Sequence, residues 1–252
     1  MIRYLHFLTG RERTREANRH LGMTLAFVAG ATNAGGYLAV SQYTSHMTGV
    51  LSSIADNLAL SRFHLVAGGV ATFLAFLSGA AVSAILINWA RRKKLQSEFA
   101  LALLLEAALM ASFGLLGHNL SSLDHAFVPA TVLLLAFMMG LQNAIITKIS
   151  GAEIRTTHMT GNATDLGIEL GKLLYWNRDE SSEKVLANRE KLKIHASLIA
   201  LFVVGGCLGA LGFKRLGFGV AVPLAALLLA IAVVPVWEDL APHSSEPAET
   251  GR

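Results

Sequence analysis

Thr44-Ser45-His46-Met47-Thr48-Gly49 is written nearly twice in this chain, because Thr156-Thr157-His158-Met159-Thr160-Gly161 repeats its His-Met-Thr-Gly. Upstream of the copies stand Gly30-x-x-Asn33-Ala34 and Gly140-x-x-Asn143-Ala144. In both places an apolar run ends in polar, glycine-dotted sequence and then restarts with helical character. Such an interruption reads as a broken membrane helix, and the rest of the chain reads as scaffolding for two of them.

Composition agrees with a membrane setting. Of 252 residues, 53% are hydrophobic and 15% charged, against about 25% charged in an average soluble domain. The mean hydropathy is +0.51 and the pI about 9.4. The basic residues fall in short clusters between apolar runs, which is the pattern of cytoplasmic loops and not of a nucleic-acid surface. A single cysteine, Cys207, allows no disulfide within the chain. Arg3, Arg11, Arg13, Arg15 and Arg19 precede the first apolar run without a small-residue cleavage site, so residues 1–20 read as a basic cytoplasmic segment before an uncleaved span.

Six apolar runs, near 21–40, 65–90, 98–117, 126–147, 194–213 and 217–236, have the length of membrane-spanning helices. Two shorter runs, 49–60 and 161–175, follow the breaks and carry Asp56, Asp165 and Glu169. They read as half-helices, with a surface-lying helix as the alternative. Arg91-Arg92-Lys93-Lys94 and the basic residues of 177–193 belong inside, and the loop 118–125, with no Lys or Arg, outside. Both termini are then inside, provided the half-helices do not cross fully. Lys214-Arg215 falls on the wrong side of this arrangement.

The repeat continues past the breaks. Phe76-x-x-Gly79-Ala80-x-x-Ser83-Ala84 matches Phe202-x-x-Gly205-Gly206-x-x-Gly209-Ala210. The expected fold is therefore all-α: a polytopic membrane protein of six transmembrane helices plus two half-helices. It forms one membrane domain over 21–236, with repeat one at 21–117 and repeat two at 126–236. Three spans per repeat is an odd number, so the two repeats are inverted. The small-residue pairs predict close helix packing near an axis between the halves. Residues 237–252, with Pro242 and Pro247, read as a disordered tail.

A helix that starts inside a bilayer offers unpaired N–H donors and a partial positive charge, which suits an anion. Thr48 and Thr160 are the residues expected at the N-caps. His46 and His158 stand beside them, either to bond a solute or carry a proton, or to brace the unwound backbone. The candidate solute-binding set is His46, Thr48, Gly49, His158, Thr160, Gly161, Asn162, Asn33 and Asn143. Gln142 lies beside Asn143. Glu106, in the middle of an apolar run, and Asp165 are the candidate proton-coupling residues. Lys148, Glu153 and Arg155 read as loop residues at the mouth of the second break. Two histidines are too few for a metal site.

The paired motif, in a six-span chain of this length, resembles the YoaK-like family of bacterial membrane proteins, a family of unknown function. The resemblance covers roughly residues 20 to 236. Val50 departs from it where the second copy has Asn162, which makes the first copy the weaker candidate site. The resemblance implies a bacterial inner-membrane protein but no substrate. The residues favour a secondary transporter for a small polar or anionic solute, with proton coupling as an option and no cofactor. A channel, or a non-transporting sensor or assembly module, is the alternative. A membrane enzyme using one histidine with Asp165 or Glu169 is less favoured, since no nucleophile elbow, HExxH or phosphate loop is present. The expected partners are the lipid bilayer and a small-molecule or ion substrate, with no nucleic acid. A homo-oligomer stays open.

Overall fold

The computed structural model describes residues 8–10, 13–120, 124–152, 154–177 and 183–240. Among them no strand occurs, and eight helices carry the fold. They are α1 (Arg15–Val40), α2 (Met47–Ala59), α3 (Phe63–Arg92), α4 (Ala100–Leu120), α5 (Asp124–Ile149), α6 (Met159–Leu174), α7 (Arg189–Leu216) and α8 (Ala221–Leu240). Four stretches are long and apolar enough to cross a membrane: Arg15–Val40, Phe63–Arg92, Val128–Ile149 and Arg189–Leu240. The last holds both α7 and α8, divided at Gly217, whose φ of +60° suits glycine. Ala100–Leu115 is apolar but shorter.

Local chemistry sets the boundaries. Thr14 caps α1 by accepting from the Ala17 N–H at 3.1 Å. Asn188 caps α7 by accepting from Glu190 and Lys191 N–H. Ser41 closes α1 in the left-handed conformation, its N–H bonded to the Tyr37 carbonyl. Trp237–Leu240, expected in the tail, continue α8 instead, and 241–252 lie outside the described residues. The Asp239 carboxylate explains that extension, since it accepts the N–H groups of Gln96 and Ser97, both at 2.8 Å.

Six helix ends gather at one end of the bundle. Arg19 in the first turn of α1 pairs with Glu190 in the first turn of α7 at 2.8 Å. The Asn18 amide donates to the Ile149 carbonyl at the end of α5. Arg91 at the end of α3 pairs with Glu98 just before α4, and Asp239 brings the end of α8 to the same loop. Arg13 lies over the Phe99 ring at 3.8 Å, and burial pushes its guanidinium down to about 10. Lys214 and Arg215 sit in the last turn of α7, at the far end, where cations suit the carbonyls of a helix C-terminus.

Packing is an exchange between the halves. α1 packs on α7, α3 on α5, and α4 on α8, while α2 rests on α3 and α6 on α7. The small residues make this contact. A Cβ on Gly30 would stand 2.0 Å from the Phe202 carbonyl oxygen, and one on Gly140 2.0 Å from that of Phe76. A Cβ on Gly79 would meet the Phe137 oxygen at 2.0 Å, and one on Gly205 the Phe27 oxygen at 2.1 Å. α3 thus lies backbone to backbone against α5, and α7 against α1. We expect Gly79→Ala and Gly205→Ala each to cost about 1–3 kcal/mol by overpacking, read as a lower Tm in detergent. Gly68→Ala, whose Cβ meets nothing within 4 Å, should not lower Tm.

Candidate functional site

The glycine contacts fix α1 and α5, and both helices are followed by chain that doubles back. Ser45 Oγ donates to Asn33 Oδ1 at 2.8 Å. Asn33 lies seven residues before the end of α1, so the returning chain has dropped about 10 Å along the helix. After α5, Gly151 and Ala152 turn the chain with φ of +62° and +70°. Thr156 Oγ1 then donates to Asn143 Oδ1 at 3.4 Å. Asn33 and Asn143 therefore hold the two returning segments at depth, in matching places on the two halves.

The helices α2 and α6 begin in the same way. His46 and His158, with φ, ψ of −90°, 71° and −83°, 59°, occupy the N-cap positions. Their carbonyls accept the first helical bonds, from Val50 N–H at 3.1 Å and Asn162 N–H at 3.0 Å. Thr48 and Thr160, expected as caps, are displaced into the first turn, and neither histidine side chain bonds the helix N–H groups. The reason is steric. Each imidazole folds back over the glycine three residues on. A Cβ on Gly49 would lie 2.2 Å from His46 Cδ2, and one on Gly161 2.3 Å from His158 Nδ1. The glycine of His-Met-Thr-Gly is the seat of the ring.

The two motif copies meet. A cavity of about 410 Å³ is lined by Ser45–Thr48 of one copy and Thr157–Thr160 of the other, with Asn143, Thr147, Lys148 and Arg155. His46, Thr48, His158, Thr160 and Asn143 are thus brought together. A second cavity, of about 570 Å³, lies among α2, α3 and the start of α5 and is lined by His46, Gly49, Ser53, Asn57 and His64. Asn33 is buried at its brace and lines neither cavity. Glu106 is fully buried on α4, away from both linings, and neither carboxylate oxygen has a hydrogen-bond partner. The Gln142 amide is likewise buried without a partner. Glu153 lies outside the described residues.

His195 joins the site without having been singled out in the sequence. It is buried on α7, with Nδ1 3.3 Å from Asn162 Oδ1 and Nε2 3.8 Å from Asp165 Oδ2. Asn162 also donates to the Arg155 carbonyl, tying down the second break. Asp165 is more than half exposed and faces His195 instead of the shared cavity. Counting from the shared His and Phe, the first half has Val50, Ser53 and Gly69 where the second has Asn162, Asp165 and His195. Glu169 accepts from Asn188 N–H at 2.6 Å and from Lys172 at 2.9 Å, whereas the side-chain amide of its counterpart Asn57 donates to Ser53 of its own helix. The second half is latched by polar contacts where the first half holds the larger cavity. The departure of Val50 from Asn162 was the available signal, because a buried amide requires a partner.

This is a multi-pass helical membrane protein with a cavity lined by both His-Met-Thr segments. The family described as "Protein of unknown function (DUF1275)" matches residues 21–234, and the chain belongs to it. The chain is similar to the UPF0700 transmembrane protein YoaK of Bacillus subtilis (strain 168), with 26% identity over 190 residues, covering 74% of this chain and 80% of that protein. No solved structure matches. His195→Ala should lower stability by about 2–3 kcal/mol in thermal unfolding, through a cavity and an unpaired Asn162. Asp165→Asn, at a more exposed and longer contact, should change it little.

Proposed function

We propose that the protein is a secondary transporter of the bacterial inner membrane for a small polar or anionic solute, built from two inverted three-span repeats. The observation that carries this reading is the single cavity lined by both His-Met-Thr segments. The gathered helix ends support the inversion. α1, α4 and α7 start at the basic end and α3, α5 and α8 finish there, so α1 and α5, the equivalent helices of the two repeats, run oppositely. With α2 and α6 as half-helices, six spans result, with both termini on the Arg91–Lys94 side. Broken helices whose half-helix starts face a shared central cavity are the general design of solute sites in such transporters.

His46, His158, Thr48, Thr160 and Asn143 would contact the solute there. Gly49 and Gly161 seat the imidazoles, while Asn33 and Asn162 hold the segments that carry them. Glu106 is an intramembrane carboxyl without a hydrogen-bond partner, which supports a role in proton coupling. Asp165, turned toward His195, sits less well for that role.

Purified protein in liposomes should give saturable uptake of small organic or inorganic anions. The His46→Ala, His158→Ala double variant should reduce that flux by roughly 100-fold or more, the loss of about two hydrogen bonds to a charged group. Unchanged saturable flux would remove these histidines from the site. Glu106→Gln should retain solute exchange at equal pH and lose accumulation driven by a pH gradient. Retained gradient-driven accumulation would exclude Glu106 as the coupling group.

A further inference from the structure

We propose that the two cavities are consecutive compartments of one anion path through the protein, with the His46 imidazole as the wall between them. The proposal rests on the transport reading and adds a route, a gate and a charge preference to it.

Three observations lead there. The larger cavity lies at the end of the bundle away from the basic cluster, against His64 and Leu65 in the first turn of α3 and Val128 and Pro129 near the start of α5. The smaller cavity extends toward the opposite end, reaching Thr147 and Lys148 in the last turn of α5. Of all the lining residues, His46 alone belongs to both. Its ring is held in that position by contact with Gly49, and no hydrogen bond to the helix that it caps fixes it there. A ring held by contact alone can swing on its Cα–Cβ bond without loss of a cap.

The charge along the route has one sign. Among the described residues neither lining contains Asp or Glu, while Lys148 and Arg155 both face the smaller cavity. Lys148 Nζ is engaged by the neutral Asn88 side chain at 2.9 Å, so its charge is not cancelled there by a carboxylate. Among the described residues, the acids of α6 are committed elsewhere: Glu169 to Lys172 and Asn188, and Asp165 toward His195. A cleft lined by one sign of charge concentrates ions of the other. The class of solute is therefore a small anion. It would enter beside His64, pass His46 and be held before Lys148 and Arg155.

Thiol labelling tests this without requiring flux. In the full chain with Cys207→Ser, single variants Ser53→Cys and Thr147→Cys place a thiol in each cavity. Negatively and positively charged methanethiosulfonates of similar size, both membrane-impermeant, are applied from the face opposite Arg91–Lys94. Each rate is normalised to that with a free thiol in solution. Ser53→Cys should react directly. Thr147→Cys should react only when His46→Ala is added, and then roughly tenfold or more faster with the anionic reagent. His46→Gln, which keeps most of the side-chain volume, should leave it protected. Persistence of Ser53→Cys labelling in the His46→Ala background shows that the variant is folded. If it is not, Gly49→Ala, which removes the seat of the ring, takes its place. Thr147→Cys reacting equally with and without the ring, remaining unreactive after its removal, or showing no charge preference would overturn the proposal. Absent flux alongside the expected labelling pattern would instead overturn the transport reading and leave the gated path standing.

Discussion

Four glycines determine how near the helices of this protein can come. Where Gly30 meets Phe202, and Gly140 meets Phe76, the surface of one helix is the bare backbone of another. Lipid gives apolar side chains little reason to prefer each other over acyl chains, so close approach and the dispersion it allows must hold a bundle together. These contacts seat α1 and α5 deep between partners from the opposite half. From those helices Asn33 and Asn143 reach the returning chain, and through it the two histidine motifs. A side chain as small as a methyl group at any of the four glycines would pry apart the frame on which the cavity is built.

The repeat was legible because it is written in residue types with few substitutes. Gly-x-x-Asn-Ala and His-Met-Thr-Gly mark the breaks, and Phe-x-x-Gly marks the packing helix. Helices occupy all eight stretches read from the apolar pattern, with ends shifted by a few residues. Partner choice was not legible, since a glycine announces close approach without saying to what. The caps depart from local preference for a related reason. Threonine is the better capping residue by local preference, yet the ring of the preceding histidine needs the glycine that follows, and this moves the helix start to His46 and His158. His195 lies far in sequence from both motifs, and only the fold brings it to Asn162.

The two motif copies start their helices alike and differ in the chemistry around them. α6 is fastened to α7 by His195 with Asn162 and by Glu169 with the α7 cap. Around α2, Val50 and Gly69 stand where Asn162 and His195 pair in the second half, and a cavity stands there. α2 itself buries none of its side chains, whereas α6 buries Asn162 and Glu169. Displacing α2 breaks no buried polar contact among those described, while displacing α6 breaks several charged or buried ones. In energetic terms the duplicated plan has one loose arm and one fastened arm.

Because α1 finds its main neighbour in α7, with Arg19 and Glu190 separated by 171 positions, the protein is not assembled in the order in which it is made. At Gly30 the glycine face of α1 finds its partner only in α7, far downstream in the chain. Severed between α4 and α5, the gene would yield two fragments, each missing the surface that completes it. The duplication evident in the sequence thus describes two strands of one knot and not two beads on a string.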